Sequence, residues 1–171
     1  PRFLTQEEIA SLLASAKNSN LYPLILTALY TGLRIGELIN LKWRNVNLTT
    51  GNLTIEGTTS KTRRFRTIPL HPKLLEVLRH LPKETGYVFT YKGKKYSEHP
   101  RKAFRTILKR AGIKDCGFHT LRHTCASWLI MKGVDVYTVA KILGHSNVTT
   151  TQIYAHLAPD HLREQIQKLD F

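Results

Sequence analysis

Four short segments of the 171-residue chain carry side chains that could act together on an anion. Thr31-Gly32-Leu33-Arg34-Ile35-Gly36-Glu37-Leu38 sets an arginine just after a helix-stopping glycine. Arg34 has apolar neighbours in sequence, where an unpaired guanidinium would be costly to bury. Glu37, three residues on, is its expected partner on the same helical face; that pairing would brace the stem and leave the fork for a phosphate. His119-Thr120-Leu121-Arg122-His123 puts His119 and Arg122 side by side at a helix start, whose free N–H groups also favour an anion. His119 and His123 could ligate a metal at i and i+4, but the intervening glutamate of the HExxH zinc motif is absent and no third ligand is evident. His123 is therefore expected to be buried for structural reasons. Leu143-Gly144-His145-Ser146 ends a helix and leaves His145 in a turn, its ring able to point into a cleft. Tyr154 follows nine positions later in a polar segment whose apolar periodicity does not explain it. Taken singly, each of these residues has an ordinary explanation; as a set they do not.

The elements that must hold them are legible in outline. Thr5 and Glu8 form a capping box, with Leu4 stapling against Ile9, and start a first helix. A second helix is expected over 22–31, with Pro23 in its first turn and Gly32 as its stop, and a short third one over 35–41. The period then changes to alternation: Val46 and Leu48, a Thr49-Thr50-Gly51 turn, Leu53 and Ile55, then Phe65 and Ile68. Further helices are expected at about 72–80, 98–111, 120–132, 135–143 and 149–156, with Ser97, Thr120 and Asp135 as caps and Gly112, Gly133 and Gly144 as stops. The fold class is mainly α with a small antiparallel β-sheet (α+β), in one domain over residues 1–171.

Composition narrows the partner. The chain has 26 Lys and Arg against 12 Asp and Glu, a net charge of +14, with 42% hydrophobic residues. Fifteen of the cations and three of the acids fall within residues 61–110, so that stretch alone carries +12. Charge of this density fits a polyanion such as nucleic acid, which releases counterions on binding. No apolar run approaches the roughly 20 residues of a membrane span, and no signal peptide opens the sequence. Cys116 and Cys125 make neither a disulfide framework nor a zinc-finger spacing, which fits a reducing, cytoplasmic setting. A chain opening on Pro1 is expected to be a piece of a longer protein.

Taken in order, GLRIGEL, HTLRHT, LGHS and the tyrosine nine residues beyond that histidine resemble the catalytic domain of tyrosine recombinases of the phage-integrase type. The resemblance covers essentially the whole chain. It implies a lysine on a turn between two strands, eight residues before the proline of Ile68-Pro69-Leu70, which points to Lys61 among the neighbours Arg63, Arg64 and Arg66. It implies that Tyr154 attacks a DNA phosphodiester, forming a 3′-phosphotyrosine and freeing a 5′-hydroxyl. Arg34 and Arg122 would bind the non-bridging oxygens, His119 would help accept the tyrosine proton, Lys61 would protonate the leaving oxygen, and His145 would hold the phosphate or orient Tyr154. No metal and no other cofactor is implied. The partners implied are double-stranded DNA, further recombinase protomers in a synaptic tetramer, and accessory DNA-bending proteins.

On that reading Arg63, Arg64, Lys92, Lys94, Lys95, Arg101, Lys102 and Arg105 contact the DNA backbone, which positions a duplex without specifying its sequence. An N-terminal core-binding domain is expected outside this chain. The amphipathic tail at 159–171 either folds back on its own domain or docks on a neighbouring protomer. Two rival readings are relaxation of the type IB topoisomerase kind and a non-catalytic DNA-binding module.

Overall fold

The computed structural model describes residues 1–57, 65–160 and 162–171. Lys61, Arg63 and Arg64 lie outside the described residues. Helix α1 (Gln6–Ala16) opens on the expected box: Thr5 Oγ1 accepts from the Glu8 N–H at 3.1 Å, and Glu8 accepts from the Thr5 N–H at 3.0 Å. Helix α2 (Tyr22–Thr31) runs from Pro23 in its first turn to Gly32, whose φ of +69° is the left-handed conformation that ends helices. Helix α3 (Ile35–Ile39) is two residues shorter than its expected range.

Strands β1 (Val46–Asn47), β2 (Asn52–Glu56) and β3 (Phe65–Pro69) form the antiparallel sheet in that order, with Leu53 opposite both Val46 and Ile68. Leu53, Ile55 and Ile68 point to the core, as the alternation requires. After α4 (Pro72–Arg79) comes a small hairpin, β4 (Thr90–Tyr91) and β5 (Lys94–Lys95), which the sequence does not announce.

Helix α5 (Arg101–Ala111) starts three residues later than expected, and Ser97 does not cap it. The cause is Pro100, which biases the residue before it away from helical backbone. Helix α6 (Phe118–Met131) starts two residues earlier than expected. Thr120 therefore lies inside its first turn, where its hydroxyl accepts from the Gly117 N–H at 3.0 Å. Helix α7 (Val136–Leu143) is capped by Asp135 as anticipated, the carboxylate accepting from the Thr138 N–H at 2.9 Å. The element carrying Tyr154, Val148–Leu157, is a 3₁₀ helix rather than an α-helix. Its consecutive threonines 149–151 lose side-chain freedom in an α-helix and compete for its hydrogen bonds. Helix α8 (Leu162–Gln167) closes the chain with Leu162, Ile166, Leu169 and Phe171 exposed, so the tail does not bury its apolar face on its own domain.

Two packed regions hold the elements. The larger gathers α1–α5, the three-stranded sheet and the first half of α6 around Leu12, Leu24, Ile25, Leu38, Leu53, Leu74, Leu78 and Leu121. The smaller unites the second half of α6 with α7 and the 3₁₀ helix, through Ala126, Ile130, Val139, Leu143 and Tyr154. Helix α6 spans both and carries His119, Arg122 and His123 where they meet. No helix among the described residues is long and apolar enough to cross a membrane.

Candidate active site

Arg122 is buried, with 5% of its surface exposed, and its charge is met by helix ends. Its Nη1 donates to the Gly32 carbonyl at 2.7 Å and its Nη2 to the Leu143 carbonyl at 2.8 Å. Both oxygens lie at helix C-termini, where carbonyls lack partners within the helix and the dipole is negative. Gly32 serves this arrangement twice. Its positive φ turns the chain, and a Cβ there would stand 2.5 Å from Leu143 Cδ2, the side chain of the second carbonyl's own residue. Burial, followed by repulsion from Arg34, lowers the Arg122 pKa to about 10, still well above neutrality.

Arg34 stands at the start of α3 with its side chain 46% exposed, not among apolar groups as its sequence neighbours imply. Glu37 accepts from the Arg34 backbone N–H at 2.9 Å, but the two side chains approach only to 3.9 Å. The main partner of Glu37 is Arg66 on β3, whose fork reaches both carboxylate oxygens at 3.0 and 3.2 Å. The physical reason is exposure: Arg66 is 18% exposed and needs a counter-charge, whereas water already solvates Arg34. Burial pushes the Glu37 carboxyl up, yet the hydrogen bonds from Arg66 and the Arg34 backbone outweigh it and hold the group below its ordinary value.

The Arg66 Nε donates to the Ile142 carbonyl at 3.1 Å, so two arginines cap consecutive carbonyls in the last turn of α7. Gly144 follows with φ +77°, and a Cβ there would meet the Arg66 guanidinium at 2.5 Å. The turn so fixed presents His145, whose Nδ1 pairs with Thr151 Oγ1 at 2.6 Å. Burial, then the charges of Arg122, Arg34 and Arg66, lower the His145 pKa to about 4, so its ring is neutral at physiological pH.

Tyr154 packs as a core residue, 2% exposed, a burial that the polar segment around it does not announce. Its hydroxyl is hydrogen-bonded to Nδ1 of His123, with ring centroids 5.8 Å apart. His123 is thus half-buried, as expected, with its ring engaged by the tyrosine hydroxyl. Burial raises the Tyr154 pKa and nearby Arg122 opposes that rise. Burial and the neighbouring His119 lower the pKa of His123.

A cleft of about 1230 Å³ opens in front of this group, lined by Arg34, His119 and Arg122 together with Glu37. His145 and Tyr154 lie beside Arg122 but do not line the cleft. Of the expected backbone-binding residues, Arg101 and Arg105 line it from α5. Lys95 and Lys102 line an adjoining depression with the same two arginines, while Lys92 and Lys94 are exposed on the β4–β5 hairpin. Sequence reasoning missed Lys42, Arg44 and His99, which also line the cleft, and Arg66, Thr151 and the contact made by His123. Among the described residues no three His, Cys, Asp or Glu side chains are grouped to hold a metal ion. The site can offer two guanidinium groups to one anion, imidazoles for moving protons, and a phenol beside them.

The model of the phage integrase family matches residues 2–161. The chain is 36% identical to a tyrosine recombinase of Thermosipho africanus over 99% of its own length, and 35% identical to tyrosine recombinase XerA of Pyrococcus furiosus over 98%. It spans 62% of the length of each of these relatives. Among solved structures, the catalytic domain of bacteriophage HP1 integrase superposes with a TM-score of 0.80 at 31% identity, covering 98% of this chain and 94% of that one. XerH recombinase bound to palindromic difH substrate, in a post-cleavage complex, superposes at 0.77 with 26% identity, over 98% of this chain and 53% of that one. With the family model matching nearly the whole chain and the fold agreeing with it, the chain belongs to the phage integrase family.

Proposed function

We propose that this chain is the catalytic domain of a site-specific tyrosine recombinase, cutting and rejoining double-stranded DNA through a covalent 3′-phosphotyrosine on Tyr154. The observation that carries this reading is the convergence of Arg34, His119 and Arg122 on one cleft, with the Tyr154 hydroxyl held by the same helix α6. Two arginines on the scissile phosphate stabilise the charge that grows on its oxygens in the transition state. His119, at the mouth of α6, takes part in moving the tyrosine proton, and neutral His145 fixes the turn beside the nucleophile. Lys61 protonates the departing 5′-oxygen. The phosphotyrosine conserves the bond energy, so religation requires no metal ion and no nucleotide.

The basic face formed by Arg101, Arg105, Lys42 and Arg44 supports duplex binding at the cleft, as does the likeness to XerH in its DNA complex. The exposed apolar residues of the tail suit docking on a neighbouring protomer in a synaptic tetramer. The experiment is trapping on a nicked duplex, from which the short fragment bearing the freed 5′-hydroxyl diffuses away after cleavage. Wild-type protein should accumulate a covalent adduct, and Tyr154→Phe should bind the duplex equally well yet form none. An adduct surviving that substitution would remove Tyr154 from the role of nucleophile.

A further inference from the structure

The hydroxyl of Tyr154 has its hydrogen bond to His123, one residue beyond Arg122 on α6. The geometry points to His123 as the catalytic base that takes the proton of Tyr154 as its oxygen attacks phosphorus. This rests on the recombinase reading of the site and specifies which atom receives the proton.

Three observations carry it. The contact is to the reacting atom itself, made by a side chain that tertiary packing of α6 against the 3₁₀ helix brings there. The nucleophile packs in the smaller core with Ala126, Ile130, Val139 and Leu143, whose side chains accept no proton. The imidazole is also in the right form. The titratable and charged groups that face it are His119 and Arg122 on its own helix and the Pro1 amino group, all disfavouring its protonation, and Tyr154 faces it from the 3₁₀ helix. A neutral ring with its proton on Nε2 leaves the Nδ1 lone pair for the phenol.

His119 lines the cleft, and its ring centroid stands 5.9 Å from that of His123. The step balances as follows. The Tyr154 O–H proton passes to His123 Nδ1 while the Oη–P bond forms and the P–O5′ bond breaks. The leaving O5′ takes its proton from Lys61. On rejoining, the 5′-hydroxyl returns a proton to Lys61 and attacks phosphorus, the P–Oη bond breaks, and His123 gives its proton back to Tyr154.

The test is single-turnover cleavage of the nicked duplex by wild type, His123→Ala and His123→Asn, with DNA affinity and thermal unfolding measured in parallel to show that each variant folds and binds. Positioned general bases contribute about 10²–10⁴-fold. Both variants should slow adduct formation on that scale, although asparagine retains an acceptor that can hold the phenol. Added imidazole should restore His123→Ala. The wild-type rate should fall only at a pH below the ordinary histidine value near 6.5, and that fall should vanish in both variants. Three results would overturn the proposal: an asparagine variant as fast as wild type, which would make His123 a positioning residue; an alanine variant faster than wild type, which would make it a restraint; and a slow alanine variant that imidazole does not restore. Wild-type protein giving no adduct at all would overturn the cleavage reading itself, and this step with it.

Discussion

Arg66 and Glu37, 29 residues apart, form a two-pronged ion pair at 3.0 and 3.2 Å that joins β3 to α3. The third arm of the same guanidinium holds the Ile142 carbonyl at the end of α7. One side chain thus ties together three elements: the one that starts with Arg34, the one that ends at His145, and the strand following the segment that contains Lys61.

Replacing Arg66 by alanine should therefore lower stability and slow cleavage together. It leaves a partly buried carboxylate and a helix-end carbonyl without their partner, which costs about 1–3 kcal/mol. Lysine should recover little of this, because a single ammonium cannot reproduce the planar fork. Thermal unfolding and adduct formation on the nicked duplex measure both effects; a fully functional lysine variant would show that charge alone suffices.

Acid should weaken the fold in two successive windows. His145 has its pKa lowered to about 4 in the folded chain, whereas an unfolded histidine titrates near 6.5. Its stabilising contribution is complete above pH ~6.5 and declines as the pH falls toward 4, since the unfolded chain binds the proton first. Glu37 is held below its ordinary value, so its contribution is present above pH ~4.5 and is lost below that, as pH falls through the folded value. Urea midpoints of wild type and Glu37→Gln should differ at neutral pH and converge in the lower window, while His145→Gln should flatten the upper one.

The cleft cations should reveal themselves through salt. Each phosphate contact removed should reduce the slope of log K against log salt by about 0.9 for duplex DNA. Arg101→Ala, Arg105→Ala and Arg44→Ala are each expected to do so and to weaken binding to unrelated sequences equally. Fluorescence anisotropy across a salt series is the measurement, and an unchanged slope would take that residue off the backbone.

Lys61 can be probed through the leaving group. A substrate with sulfur in place of the bridging 5′-oxygen needs no proton to depart, so Lys61→Ala should cleave it at nearly the wild-type rate while failing on ordinary DNA. Rescue of Arg64→Ala instead would move the general acid three residues along the chain.

Much of the site was legible because its signals are local. Gly32 before Arg34, the three-residue spacing of His119 and Arg122, and the Gly144-His145 helix end each lie within one turn of chain. Capping residues placed α1 and α7 in the same way. Arg66 and His123 escaped because their significance depends on contacts between elements distant in sequence: β3 against α3 and α7, and α6 against the 3₁₀ helix. The pairing of Arg34 with Glu37 is present only as a long contact of 3.9 Å, for a related reason. Spacing on a helix shows which groups can meet, but burial decided that the carboxylate serves Arg66. The late start of α5 and the 3₁₀ geometry around Tyr154 followed from Pro100 and the threonine run, local cues overridden by the apolar pattern.

Arg122 is clamped by two carbonyls while Arg34 is nearly half in water. On the proposed reading, the two arms that would grip the phosphate are therefore unequal before any duplex arrives. One is already set and loses little freedom on contact; the other must give up side-chain entropy of up to about 2 kcal/mol when it engages. Substrates that hold Arg34 poorly would bind the fixed arm almost as well but react slowly. On the proposed function, such a division would allow the chain to survey many sequences while reserving its chemistry for the few that draw the second arm in.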